Sequence, residues 1–188
     1  MKLAAFALLL GLVAGYLLGG RLFGLSDLRI RFAFLALAGL ALQFVNPPGR
    51  WPFVLLIVSF VLLVTFTLLN IRTTGFALVL VGVAMNFAVI AINGGMPVAR
   101  EAIVASGQRD TLEGLVHRRA AKHHLVREDD RLLFLADVIA VPPPVGQVIS
   151  VGDLFTFGGV GVVVASSMRR RRPLGQPAPL REVPSVHV

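Results

Sequence analysis

The sequence contains no cysteine. Disulfide bonds, thiolate metal sites and cysteine nucleophiles are therefore excluded. Charge is scarce as well: Asp, Glu, Lys and Arg make up 15% of the 188 residues, against about 25% in a typical soluble domain. A cleavable leader is not expected at the first apolar run, because its charged region is Lys2 alone and no A-x-A site follows it. What remains is apolar. Hydrophobic residues make up 56% of the chain, and several runs approach or reach the roughly 18–20 residues needed to cross a bilayer as helix. These features predict an integral membrane protein with the lipid bilayer as its first partner. A net charge of +8 would suit nucleic acid, but the charges sit at the ends of apolar runs and in one tail, as membrane topology requires. No nucleic-acid partner is expected.

The predicted fold is all-α, a five-helix transmembrane bundle in one membrane domain, 1–168. The spans fall at about 3–20, 28–46, 51–69, 75–92 and 154–168, with a loop at 93–153 and a basic, Pro-rich tail at 169–188. Gly11, Gly15 and Gly19 recur every four residues in the first span. Such a stripe lets another backbone approach closely, either within the chain or in a homo-oligomer. Asn46-Pro47-Pro48-Gly49 marks a turn, and Trp51 suits the membrane interface. Asn86 lies deep in the fourth span, where a buried amide needs a partner from another helix or serves as a polar site. Gly94 and Gly95 supply a C-terminal cap or turn, and Pro97 prevents continuation of the helix.

The positive-inside rule sets the orientation. With the C-terminus inside, the inner segments carry +2, +1 and +4, and the outer ones sum to +1. The expectation is a multi-pass protein of the bacterial cytoplasmic membrane, N-terminus out and C-terminus in, with 93–153 outside. In that loop, Asp110 and Glu113 read as a variant capping box. Leu112, Leu115, Val116 and Ala120 then share one face of a short interfacial helix, 111–122, with His117, Arg118, Arg119 and Lys122 off that face. The spacing of His117, His123 and His124 does not suit a metal, and the reading is a solvated basic face. Neither a metal nor a cofactor is expected.

Asp137 and Asp153 stand among apolar residues near membrane depth, where acids are expensive to keep. A hairpin turning at 142–146 and pairing Val141 with Gln147 would set Asp137 opposite Val151, with Asp153 on the same face. The diagonal is roughly 7–8 Å between Cβ atoms. A slip of one residue would put the acids on opposite faces. Close together they would form a candidate catalytic dyad, sharing a proton as base and acid. The structural readings compete: Ser150-x-x-Asp153 is a capping-box pattern that opens a helix, and Asp137 has Arg127 or Arg131 as possible salt-bridge partners.

Asn93-Gly94-Gly95-Met96-Pro97-Val98, Lys122-His123, Leu135-Ala136-Asp137-Val138-Ile139 with its prolines, and Val148-Ile149-Ser150-Val151-Gly152-Asp153 resemble the signature of a family of small bacterial membrane proteins catalogued only as a domain of unknown function. The resemblance covers nearly the whole chain to Met168 and implies a shared fold. Its motifs add Asn93, Lys122 and His123 to Asn86 as candidate binding residues. Asp130-Arg131-Leu132 with Asp137-Val138-Ile139, then Ile149-Ser150-Val151-Gly152-Asp153, is also similar to the two aspartate motifs of lipoprotein signal peptidases. That similarity implies Asp137 and Asp153 as the catalytic pair. Ser150 stands where those enzymes have Asn, and Gly152 where they have Ala. Three functions follow: a structural, scaffold or regulatory membrane component with a membrane-protein or lipoprotein partner, an aspartyl hydrolase at the outer membrane surface, or a small carrier using Asn86.

Overall fold

A computed structural model describes residues 2–117 and 122–169. The chain is mostly helical. Three helices are long and apolar enough to cross a membrane: α3 (Trp51–Leu69), α4 (Phe76–Asn93) and α7 (Val151–Met168). Two shorter apolar helices accompany them, α1 (Lys2–Leu17) and α2 (Ala33–Leu42). The packing runs α2 on α3, α3 on α4, α4 on α7 and α7 on α1. Exposed Leu, Phe and Val side chains cover the outward faces, as lipid-facing surfaces require.

Local sequence explains the helix ends. Pro52 sits in the first turn of α3, where its missing N–H costs nothing. Gly94 closes α4 in the left-handed region at φ 69°, and Gly95 N–H returns to Ile90 O at 3.1 Å. The second apolar helix, Ala33–Leu42, is shorter than the expected 28–46: Phe32 takes a left-handed φ of 53° just before it, and the helix is capped at Gln43. The last span begins at Val151 rather than 154. Asp153 thus lies inside the first turn of α7.

The expected loop, 93–153, is a folded cap. It contains β1 (Met96–Val98), α5 (Arg100–Ala105), α6 (Arg109–His117), β2 (His123–Leu125), a 3₁₀ turn (Leu133–Leu135), β3 (Ile139–Val141) and β4 (Gln147–Ile149). β1 pairs with β2 in parallel, and Val98 also bridges to Asp137 in parallel. β3 and β4 form a hairpin in the anticipated register, Val141 opposite Gln147 and Ile139 opposite Ile149. The expected pairing of Asp137 with Val151 is not formed, because Asp137 bridges Val98 and Val151 opens α7. The helix expected at 111–122 is α6. It starts two residues earlier, at Arg109, which places Asp110 within its first turn rather than at its cap. Leu112 and Leu115 are half-buried. Arg118, Arg119 and Ala120 lie outside the described residues.

The core joins bundle and cap. Leu56 and Phe60 of α3 and Val79, Val83, Val89 and Ile90 of α4 form one cluster with Met96 and Ala136 of the cap. Phe60 and Phe87 stack with ring centroids 6.0 Å apart. The cap also holds the start of α1: Lys2 Nζ donates to Pro144 O at 3.3 Å and Val145 O at 3.2 Å, and Leu3 N–H donates to Gln147 Oε1 at 3.1 Å. At the opposite end of α1, Arg21 N–H donates to Met168 O at 2.9 Å. Gly11 and Gly15 are buried against Gly161, Val164, Ala165 and Met168 of α7, whereas nothing lies near Gly19. The first two glycines are thus used for packing within the chain.

Candidate functional site

The first turn of α7 is built as the sequence pattern implied. Ser150 Oγ accepts from Asp153 N–H at 2.9 Å, and Asp153 Oδ2 accepts from Ser150 N–H at 3.1 Å, a complete capping box. Asn86 of α4 closes the arrangement. Its Nδ2 donates to Asp153 Oδ1 at 2.8 Å, and its Oδ1 accepts from Ser150 Oγ at 2.8 Å. Three polar side chains and the backbone N–H groups of Ser150 and Asp153 therefore satisfy one another in a closed ring at the α4–α7 contact. The ring needs very close approach. A Cβ on Gly152 would collide with Asn86 Oδ1, and one on Gly82 would collide with Gly152 O. Only glycine fits at either position, which gives Gly152 its physical reason.

The other polar candidates are tied down similarly. Asn93, in the last turn of α4, donates from Nδ2 to Val89 O (3.0 Å) and Arg131 O (2.9 Å) and accepts from Arg131 N–H (2.8 Å). Its amide completes the backbone pairing of a cap segment. Lys122, expected on a solvated face, is buried, and its Nζ donates to Gln43 O at 2.6 Å and Val45 O at 2.8 Å. It thereby caps the carbonyl end of α2, where a cation is favoured. Burial lowers its pKa from the ordinary lysine value. His124 was also expected on that face. It is buried, and its Nε2 lies 3.0 Å from Asp130 Oδ1. No other acid and base lie within salt-bridge distance among the described residues, so neither Arg127 nor Arg131 pairs with Asp137.

Asp137 and His123 remain. The β1 segment Met96-Pro97-Val98 separates them: Met96 pairs with His123 and Val98 with Asp137. The motifs singled out in the sequence thus meet in one small sheet beside the start of α7. Asp137 has a fully paired backbone, its N–H donating to Pro97 O at 3.1 Å and its C=O accepting from Ala99 N–H at 3.0 Å. Its carboxyl makes no hydrogen bond among the described residues. Burial raises its pKa to about 8, and the nearby charge of Asp153 adds to the rise. His123 keeps one edge open, yet the surrounding protein displaces enough water to hold its imidazole below the ordinary range. Lys122 and His124 push the same way, and Asp153 opposes them. At neutral pH the site therefore combines a neutral acid, a hydrogen-bonded Asp153 and an uncharged imidazole.

Sequence reasoning missed four structural partners. Asn70 mirrors Asn93: it accepts from Arg31 N–H at 2.8 Å and donates to Arg31 O at 2.9 Å and Phe66 O at 2.8 Å. Gln43 donates to Ser59 Oγ at 2.9 Å. The acceptors of Lys122 and the Asp130 partner of His124 complete the set. The one local signal was an asparagine at each helix end.

Apolar helices joined by a hydrogen-bonded polar cap define a class of α-helical protein suited to a membrane. Within that class the chain belongs to a family of unknown function, DUF5317, whose profile matches residues 24–165. It is 34% identical over 134 residues to an uncharacterized protein of Thermotoga maritima, covering 70% of this chain and 74% of that one. No solved structure matches the chain.

Proposed function

We propose that the protein is a five-span component of the bacterial cytoplasmic membrane, N-terminus out and C-terminus in. Its cap is a rigid extracytoplasmic platform with a structural, scaffold or regulatory role towards another membrane protein or a lipoprotein. One observation carries this reading: four of the six side chains that suggested a site, Asn86, Asn93, Lys122 and Asp153, are spent on joining the helices to one another and to the cap. Asn86, Ser150 and Asp153 close one ring. Asn93 and Lys122 clamp the cap elsewhere. Both ends of the Asn86 amide are engaged, which removes the chief support for a carrier.

One finding favours a second reading, the aspartyl hydrolase. Asp137 is held neutral to about pH 8 within electrostatic reach of Asp153. In that chemistry Asp153 takes a proton from water while Asp137 protonates the leaving group. The two readings separate on a purified, bilayer-reconstituted protein given a lipoprotein-precursor peptide. The platform predicts no cleavage by the wild type or by Asp137→Asn. Cleavage by the wild type, lost in a folded Asp137→Asn variant, would establish the hydrolase instead.

A further inference from the structure

We infer that the groove between α1 and α7 binds an anionic phospholipid, with an acyl chain along the helices and the phosphate at Arg169. The groove encloses about 610 Å³, within the range of small-molecule sites. Leu10, Gly11 and Ala14 line one side and Phe157, Gly158 and Val162 the other. Ser166 sits near one end, and its hydroxyl is already bonded to Val163 O at 3.1 Å. The walls therefore offer a hydrocarbon chain everything and a polar ligand almost nothing.

Only the Arg169 end departs from this. Arg169 lines the groove there and is exposed. The N–H of Arg21 is bonded to Met168 O, which brings a second arginine to the same end. In sequence, Arg170, Arg171 and Arg172 follow directly. Basic clusters at the end of a membrane helix attract anionic headgroups, and guanidinium groups pair with phosphate through parallel hydrogen bonds. An apolar channel that ends in arginine fits a chain with an anionic head, not a zwitterionic lipid by preference.

The site is open to a specific substitution. Nothing lies within 4 Å of a Cβ built on Gly158, so Gly158→Leu should fill the groove without disturbing the helices. The full chain is reconstituted in nanodiscs with equal phosphatidylglycerol and phosphatidylcholine, and retained lipid is counted by native mass spectrometry. The wild type should keep phosphatidylglycerol in preference. Arg169→Gln should lower that preference about five-fold, the effect of one basic residue at an anionic surface. Gly158→Leu should reduce retention of both lipids. Ala14→Leu on the facing helix repeats the test if Gly158→Leu does not fold. Equal retention of the two lipids by the wild type would overturn the proposal, as would unchanged binding in the filled-groove variants. Overturning it equally would be a dimer that those variants dissociate, because the occupant is then a second copy of the chain.

Discussion

Asp137 enters the fold with its backbone fully bonded and its carboxyl without a hydrogen-bond partner among the described residues. A raised carboxyl pKa favours the folded state only while the proton stays on. The unfolded chain ionises near the ordinary carboxyl value of 3.8 and the folded chain at about 8. Between these values the folded state binds more protons, so stability falls as pH rises from about 4 to about 8. Thermal unfolding in detergent micelles should show that decline. Asp137→Asn, a neutral shape mimic, should flatten it, raising the midpoint at pH 8 and changing it little at pH 4. A decline of the same size in the variant would assign the pH dependence to another group. Gly152→Ala tests a different residue-scale claim. Its methyl group must displace Asn86, and the expected loss is ~1–3 kcal/mol, as for overpacked cores, read from denaturant midpoints.

At the scale of elements, the cap and the helix ends are joined by side chains acting on backbone. Lys122 holds the carbonyls after α2, so Lys122→Met should free residues 43–45 while leaving α3 and α4 intact. Hydrogen exchange should accelerate in 43–50, and unchanged protection there would contradict the clamp. Some of these elements were readable from sequence because their causes are local. Ser150 and Asp153 are three residues apart, so the capping box needed no knowledge of the fold. The proline-rich turn between two short apolar strands signalled the β3–β4 hairpin, and the register supposed for it, Val141 opposite Gln147, is the one the strands take. The remaining partners were not readable, because Asn86 and Asp153 are 67 residues apart and Lys122 and Gln43 are 79 apart. A buried amide announces that it needs a partner but not which one. Lys122 and His124 looked solvated because their neighbours in sequence are polar, whereas the cap folds both inward.

For the whole molecule, the arrangement of ends bears on topology. Lys2 reaches the β3–β4 turn, and Arg21 meets Met168 at the far side. This places the start of α1 with the cap and its end with Met168 and Arg169 at the close of α7. Reporter fusions at His123 and after Arg172 should therefore report opposite sides, His123 outside. Two reporters on one side would defeat the five-span topology. The shorter reach of α1 and α2 is the part that hydropathy could not foresee, since α1 stops before Gly19 at φ 77° and α2 starts after Phe32 at φ 53°, backbone turns within apolar sequence.

Asn86 and Asp153 stabilise one another across α4 and α7. A double-mutant cycle with Asn86→Ala, Asp153→Ala and the pair, followed by denaturant unfolding in micelles, measures that coupling. Groups in one hydrogen-bonded network couple by about 0.5–3 kcal/mol, whereas independent sites add to within about 0.5 kcal/mol. The ring predicts a coupling of at least ~1 kcal/mol. Additive losses would contradict it and return both residues to the list of groups free to act on a ligand.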